Sequence, residues 1–477
     1  MQNAAIGIWK DLVQRRIAQS IFLVLAAYGI FSTPGLAAHW GISALGLLVA
    51  IIWLPLASPA LFLARGWSPS WRQYLLLGIV IVTVRSLITL IFINRVPGGD
   101  AFYYPEIAGN LLSGRGYVVD EPYVGPGLRA FYPPAYPTLL AGWGFLGGFS
   151  AISYATLNLL IDGTCAILVA RLGKRLAMPL GGRAAAWLYL LWPSILLSAP
   201  LAQKEGMCNI LVLSLALFWT SVDKSCPLWK NALFLGIPAG LLALTQPAQA
   251  PLAALFSFFL IRFVGWKKLL VLGMSGGVVA AVVLLPWWIR NWLIFGAFVP
   301  LTTASSVSLW IGNNPDATGN WMPTPKQFYG EPERLYMAHV RQLAVSWIET
   351  HPFEFIRLSV TKMIRATAIA CTGLVRIEGL TPSVMSVTTM LFPLAQGVHI
   401  ALLGVGAAVV QTARRTPGFM MLLLLLAACG AQLVLFNLWF EFGERHREFV
   451  TPFLLLIIGY GLSEARVKSR AEIFSSI

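Results

Sequence analysis

The sequence predicts an all-α, polytopic membrane protein of about twelve transmembrane helices, with further interfacial helices on its outer face. Three observations predict it. Of 477 residues, 57% are apolar and only 11% charged, and the mean hydropathy is +0.74, too apolar for a soluble chain of this length. Apolar runs near the roughly 20 residues needed to cross a bilayer recur along most of the chain. The basic residues behind the net charge of +15 and pI near 9.8 fall mainly in short connections between those runs, as the positive-inside rule requires. A soluble chain this basic would suggest nucleic acid. No basic stripe with interleaved aromatics exists outside the connections, so no nucleic-acid partner is expected, and membrane lipids with anionic headgroups are the expected counter-charge.

The runs begin near Ile17, Ile42, Leu75, Ile152, Ala184, Met207, Ala232, Pro251, Leu269, Val398, Phe419 and Val450. The first is followed by others and by no small-residue cleavage site, so it is expected to remain as an anchor. With the N-terminal Lys10, Arg15 and Arg16 placed in the cytoplasm, counting crossings puts most other basic residues on the same side. These are Arg65, Arg72, Arg171, Lys174, Arg175, Arg183, Lys224, Lys230, Arg262, Lys267, Lys268, Arg414, Arg415, Arg466, Lys468 and Arg470. Only Asp11, Asp223, Glu464 and Glu472 accompany them, and both termini lie inside. Fourteen of the nineteen acids fall on the opposite, outer face, which mixes both signs as a working surface would. The chain therefore reads as a single transmembrane domain, 1–477, carrying a first outer loop at 95–150 and a second outer segment at 290–391. Residues 103–112 and 332–348 have mixed faces at helical spacing, and Trp143, Trp310, Trp321 and Trp347 suit the headgroup level. Residues 353–374 are apolar enough to dip into the bilayer but, with Arg357, Lys362 and Arg365, too charged to be read as spanning.

The first outer loop holds the best candidate for chemistry. Residues 96–137 read VPGGDAFYYPEIAGNLLSGRGYVVDEPYVGPGLRAFYPPAYP and contain four acids, Asp100, Glu106, Asp120 and Glu121. Asp100 follows Pro97, Gly98 and Gly99 where the third span ends. Glycines let the backbone turn sharply and approach a ligand, and a carboxylate partly desolvated at a lipid–water boundary gains basicity, as a general base for a hydroxyl nucleophile requires. Asp100 also suits the N-cap of a following helix, and the two roles can coexist. RAFYPPAYP at 129–137 joins a rigid turn to Arg129, Tyr132 and Tyr136, rings able to stack on sugar or isoprenoid, or simply a stiff connector.

Cations stand at other outer helix ends. Arg290 in PWWIRN could clamp a phosphate bidentately or snorkel in an aromatic belt. Lys204 beside Glu205, and Arg445, His446 and Arg447 in GERHREF, complete a set suited to an anionic headgroup. Arg85 and Asp162 lie inside apolar runs, where charge is costly; a buried ion pair is the preferred reading over a proton path. The five cysteines are scattered without metal or disulfide spacing, the five histidines are dispersed, and no nucleotide-binding glycine motif occurs.

Taken together and in order, seven segments resemble the GT-C superfamily of integral-membrane glycosyltransferases, in the bacterial branch related to protein O-mannosyltransferases and the lipid A aminoarabinose transferase. They are GDAFYYPEIAGNLLSGRGY at 99–117, YPPAYPTLLA at 132–141, QKEG at 203–206, LTQPAQ at 244–249, PWWIRNWLIFGAFVPLTT at 286–303, IGNNP at 311–315 and ERHREFVTPFLLL at 444–456. The resemblance implies an inverting hexosyl- or pentosyltransferase in a bacterial inner membrane, working on the extracytoplasmic face. Its donor would be a polyprenyl-phosphate-linked sugar and its acceptor a cell-envelope glycan, lipid or protein hydroxyl. It implies Asp100 as the catalytic base and Lys204, Arg290 and Arg445 as donor phosphate ligands. The surrounding pocket would be formed by Tyr103, Tyr104, Glu106, Arg129, Tyr132, Tyr136, Glu205, Asn291, Asn313 and His446. No cofactor is called for. Many relatives carry a second acid close behind the first, whereas Asp100 is followed by Ala101, with Glu106 the nearest further carboxylate. That departure speaks against a divalent metal, since hard cations want several oxygens. With no large C-terminal soluble domain in view, acceptor recognition is expected from 305–391. Other classes that fit the composition are a lipid-linked sugar transporter or flippase, coupled through Arg85 and Asp162, and a lipid-linked oligosaccharide ligase or polymerase.

Overall fold

A computed structural model describes residues 2–94, 96–222, 226–319, 321–371, 373–375 and 385–475. Asp223 and Lys224, expected at the inner rim, and residues 376–384 of the second outer segment lie outside the described residues. So do the side chains of Lys10, Asp11, Arg466, Lys468, Arg470 and Glu472.

Among the described residues, ten helical stretches are long and apolar enough to cross a membrane: Arg15–Trp40, Ala44–Ala64, Trp71–Phe92, Ala151–Arg175, Pro179–Leu197, Leu228–Thr245, Trp266–Phe295, Val387–Thr412, Pro417–Asn437 and Glu444–Ala465. The runs expected near Met207 and Pro251 form shorter apolar helices, Glu205–Ser221 and Pro247–Phe259. With those two counted, the crossings alternate as the basic connections require. The helices are labelled α1 (Gln2–Trp40), α2 (Ala44–Ala57), α3 (Pro59–Ala64), α4 (Trp71–Phe92), α5 (Asp100–Leu112), α6 (Ala135–Gly147), α7 (Ala151–Arg175), α8 (Pro179–Leu190), α9 (Pro193–Leu197) and α10 (Glu205–Ser221). The rest are α11 (Leu228–Thr245), α12 (Leu252–Phe259), α13 (Ile261–Val264), α14 (Trp266–Phe295), α15 (Ser305–Gly312), α16 (Glu333–Thr350), α17 (Pro352–Ala368), α18 (Met385–Thr412), α19 (Pro417–Gln432) and α20 (Thr451–Ser475).

Burial separates a lipid-facing rim from a core. Only 11% of the apolar window of Trp266–Phe295 and 17% of that of Ala44–Ala64 are covered by protein, against 72% for both Pro179–Leu197 and Glu444–Ala465. The two covered helices cross where neither has a side chain. A Cβ on Gly459 would stand 2.2 Å from the Gly181 carbonyl oxygen, and one on Gly181 2.8 Å from the Gly459 backbone. Close backbone approach at small residues is how helices gain packing contacts where lipid removes the hydrophobic drive. The intramembrane charges Arg85 on α4 and Asp162 on α7 are paired at 2.7 Å, both buried. Arg15 donates to the carbonyls of Gln411 and Ala413, closing the C-terminus of α18 as a cation at that end should.

The first outer loop contains a feature that periodicity did not reveal, an antiparallel hairpin of β1 (Val119–Glu121) and β2 (Gly125–Leu128), pairing Val119 with Leu128 and Glu121 with Gly125. Strands of three and four residues, one of them GPGL, are too short to show alternation. Within β1 the alternation is physical: Val119 and Glu121 are buried, while Asp120 points out and accepts from the Gly127 amide at 2.7 Å.

The two outer segments are stitched together. Glu333, opening α16, accepts from the amides of Arg129 (2.6 Å) and Ala130 (3.1 Å) and from the Thr303 hydroxyl (2.5 Å). The Thr303 amide returns a bond to the Ala130 carbonyl at 2.9 Å. Residues 353–374, expected to dip into the bilayer, contribute the amphipathic α17, whose buried Lys362 donates to the carbonyls of Gly312 (3.2 Å) and Phe440 (3.0 Å).

Candidate active site

Gly99, at φ +60° and ψ −143°, turns the chain into α5, in a backbone region that disfavours a side chain. It occupies the N-cap position that the sequence had allowed for Asp100. Asp100 is instead the first residue of α5, where a carboxylate is favoured by the helix dipole. Its Oδ2 accepts from Arg445 Nη1 at 3.0 Å and from the Tyr104 hydroxyl at 3.2 Å. Arg445 reaches a second carboxylate, Glu441, at 3.8 Å. Lys204, just before α10, lies with Nζ 5.5 Å from the centre of the Tyr104 ring. Three distant parts of the chain thus place two carboxylates and two cations at one end of the bundle.

Their neighbours in sequence explain how they are held. Arg447 is spent on structure: buried, it donates to the carbonyls of Ala366 and Ile369 at the end of α17 and meets Glu444 at 3.5 Å. The 3₁₀ turn Glu444–Val450 then turns Arg445 the other way, toward Asp100. His446 Nδ1 accepts from the Gly443 amide at 3.1 Å within the same turn.

The expected gain in Asp100 basicity is reversed. Burial alone would raise its pKa, but the Arg445 guanidinium, the Lys204 ammonium and the Tyr104 hydroxyl outweigh it and hold the carboxyl below its ordinary value. Glu441 goes the other way: burial raises it, with Arg445 opposing and the charge of Asp100 adding to the rise.

The tyrosines form a packed wall. Tyr104 and Tyr136 are fully buried, their centroids 5.4 Å apart, and Tyr104 meets Tyr132 at 5.4 Å while Tyr103 stacks on Tyr132 at 5.8 Å. Tyr132 and Tyr136, read as able to stack on a substrate, each pack edge-to-face against Tyr104; Tyr132 and Tyr103 point their hydroxyls at Glu121, at 3.2 and 3.4 Å. Glu121 escaped the sequence reading of the site, because nothing but its place in an unseen hairpin turns it inward. Burial lifts its pKa to about 7 against those hydroxyls, and the charge of Asp100 helps. A carboxyl whose native pKa exceeds its ordinary 4.5 binds more protons folded than unfolded between the two values, so stability falls as pH rises through that window. Glu121→Gln, which keeps one acceptor oxygen and offers an amide donor to the other hydroxyl, is expected to flatten the decline of Tm between about pH 5 and 7. Parallel wild-type and variant curves would refute this.

Other predicted pocket residues serve elsewhere. Glu106 packs toward the hairpin, its pKa raised by burial, with Asp120 and Arg115 as charged neighbours. Arg290 lies over the Trp287 ring at 4.7 Å and donates to Arg129 O (2.6 Å), Asn291 Oδ1 (2.9 Å) and Tyr117 O (3.0 Å). Asn291 ties back to Val299 O at 3.0 Å. Arg290, Asn291 and Arg129 therefore form a clip that fixes the first loop on α14. A phosphate at Arg290 would have to displace carbonyl partners. Arg290→Lys removes the fork and the stack. It is expected to cost about 1–2 kcal/mol and to speed proteolysis within 117–130; unchanged cleavage would show that the clip does not hold the loop. Asn313, fully buried, bonds the carbonyls of Leu309 (2.8 Å) and Trp439 (2.6 Å) and supports the segment leading to Glu441.

Over most of its length the chain is similar to three solved structures. The archaeal oligosaccharyltransferase AglB from Archaeoglobus fulgidus, in complex with an inhibitory peptide and a dolichol-phosphate, shares 16% identity at a TM-score of 0.46 over 85% of this chain and 52% of its own. An Archaeoglobus fulgidus oligosaccharyltransferase tethered to an acceptor peptide gives 15% and 0.44, over 81% and 50%. ArnT from Cupriavidus metallidurans, bound to undecaprenyl phosphate, gives 13% and 0.41, over 83% and 78%. The chain spans about half the length of the archaeal enzymes. No protein-family model matches it, and no curated protein matches its sequence.

Proposed function

We propose that the chain is an inverting glycosyltransferase of GT-C type that moves a sugar from a polyprenyl-phosphate donor to an extracytoplasmic acceptor hydroxyl in a bacterial inner membrane. The observation that carries this reading is the ion pair of Asp100 with Arg445, flanked by Lys204, at the membrane end where the outer segments converge. A carboxylate beside two cations fits a reaction that deprotonates a hydroxyl while a phosphate departs.

The acceptor oxygen attacks the anomeric carbon and its proton passes to Asp100. The bond from that carbon to the phosphate oxygen breaks, its electron pair staying on the phosphate, so configuration inverts. Phosphate leaves as an anion and needs positive charge rather than a protonating acid. Arg445 and Lys204 supply it, the first by its planar fork. In the resting site Asp100 is a weak base because these cations face it. An incoming lipid phosphate competes for both, and a buried carboxylate relieved of them gains basicity. Donor binding thereby readies the base. Asp100 and Glu441 are already bridged by Arg445, and among the described residues no three His, Cys, Asp or Glu side chains converge on one point, so the residues do not fit a divalent ion and the step is derived without one.

Proteoliposomes loaded with a labelled polyprenyl-phosphate sugar and a cell-envelope extract test the reading. Covalent transfer of label, checked by mass spectrometry, is expected. Movement of intact donor across the bilayer without transfer would replace the reading with that of a flippase.

A further inference from the structure

The stretch that carries Glu441 has no helix or strand of its own. It runs from the π-helical turn Leu433–Asn437 to the 3₁₀ turn Glu444–Val450, so its place depends on ties to other parts of the chain. The second outer segment supplies them residue by residue. The Trp439 carbonyl accepts from Asn313, the Phe440 carbonyl accepts from Lys362, the Glu441 amide donates to Ser308 O at 2.7 Å and the Phe442 amide to Gly319 O at 3.4 Å.

Lys362 differs from the other ties. Its side chain, on a residue 1% exposed, reaches Gly312 O at the C-terminus of α15 as well as Phe440 O, so one amine sutures two backbones. Those backbones are pressed together at this point. A Cβ on Gly312 would stand 2.4 Å from the Phe440 carbonyl carbon and 2.7 Å from the Glu441 nitrogen. The Lys362 stem is held as closely, since a Cβ on Gly319 would lie 2.3 Å from Lys362 Cγ. On the same helix, Arg365 donates to Thr318 O at 3.0 Å and Phe355 stacks on Trp439 at 5.3 Å, so α17 grips both sides of the suture.

An amine in such a place is costly. Burial pushes Lys362 from its ordinary 10.5 down to about 8, and its partners are carbonyls rather than a carboxylate. A hydrocarbon of the same length would avoid that cost but leave two carbonyls without their donor. What the suture fixes is Glu441, one residue beyond Phe440, and Glu441 is the second carboxylate on Arg445, at 3.8 Å.

We propose that Lys362 is a positioning residue for the donor pocket: by fastening Phe440 to the end of α15 it places Glu441, and through Glu441 it aims the Arg445 guanidinium. Lys362 itself touches no substrate. The inference rests on the reading of Arg445 as a ligand of the lipid phosphate. With the suture gone, Asp100 still holds one nitrogen of Arg445, but the carboxylate that orients the other is free to shift, and a fork out of line binds phosphate less well.

The test is a double-mutant cycle on the purified full chain, reading the affinity for a labelled polyprenyl monophosphate, with Tm recorded for every variant. Lys362→Met is expected to weaken binding by about threefold to tenfold in the wild-type background and to add nothing in the Arg445→Ala background, as for residues acting through one another. If Lys362→Met does not fold, Lys362→Gln, which keeps N–H donors on a shorter stem, takes its place in the cycle. Wild-type affinity in the Lys362 variant would overturn the proposal. An equal fold-loss with and without Arg445 would do the same, since it marks a structural role alone; in both cases a weak Arg445→Ala leaves the donor pocket standing. Wild-type binding in Arg445→Ala would instead overturn the phosphate reading and this inference together.

Discussion

Replacing Asp100 with Asn is expected to lower sugar transfer by about 10³-fold while leaving the protein folded and the lipid phosphate bound, since general-base assistance is worth roughly 10²–10⁴. Asn keeps the shape and can still accept from Tyr104, now 3.2 Å from Asp100 Oδ2. What it loses is the charge that receives the proton. It also loses the charge that competes with phosphate for Arg445, so lipid-phosphate affinity should stay level or rise. The effect would then appear in kcat and not in KM. An Asp100→Asn protein that transfers sugar at the wild-type rate would remove Asp100 from the chemistry.

Arg445→Ala should act on the other half of the reaction. Arg445 bridges Asp100 and Glu441, at 3.0 and 3.8 Å, with side chains 15% and 12% exposed. Truncating one member of such a pair typically costs about 2–5 kcal/mol, because the remaining charges are stranded. Polyprenyl-phosphate affinity should therefore fall by about 30-fold or more. Transfer should fall with it, since two facing carboxylates no longer both ionise. Arg445→Lys, which keeps the charge but not the fork, should recover part of the affinity. Binding unchanged in Arg445→Ala would place the phosphate elsewhere.

The frame was legible because lipid imposes one rule at a time. Hydropathy located every run, and counting crossings put Asp100, Lys204 and Arg445 on one face before any contact was known. The pairing of Arg85 with Asp162 followed from the cost of charge in hydrocarbon. The division of labour was not legible. Nothing in GERHREF tells Arg445, which meets Asp100, from Arg447, which closes α17. PWWIRN reads as a phosphate clamp or as a snorkelling anchor, and neither reading foresees the clip it forms on the carbonyls of Arg129 and Tyr117. Tyr132 and Tyr136 looked like open stacking faces and are both packed against Tyr104. Glu121 and Glu441 enter the site through a short hairpin and a loop, where periodicity carries no signal. In each case the deciding contact joins residues far apart in sequence, and the choice rests on packing rather than on residue type.

The most direct measurement is a glycolipid and glycoprotein profile of cells that make the wild-type chain, no chain, or the Asp100→Asn chain at matched levels. The proposed transfer predicts one sugar-bearing envelope species present only with the wild type, with unspent polyprenyl-phosphate sugar accumulating in the other two. A profile indifferent to loss of the chain, or fully restored by Asp100→Asn, would contradict it.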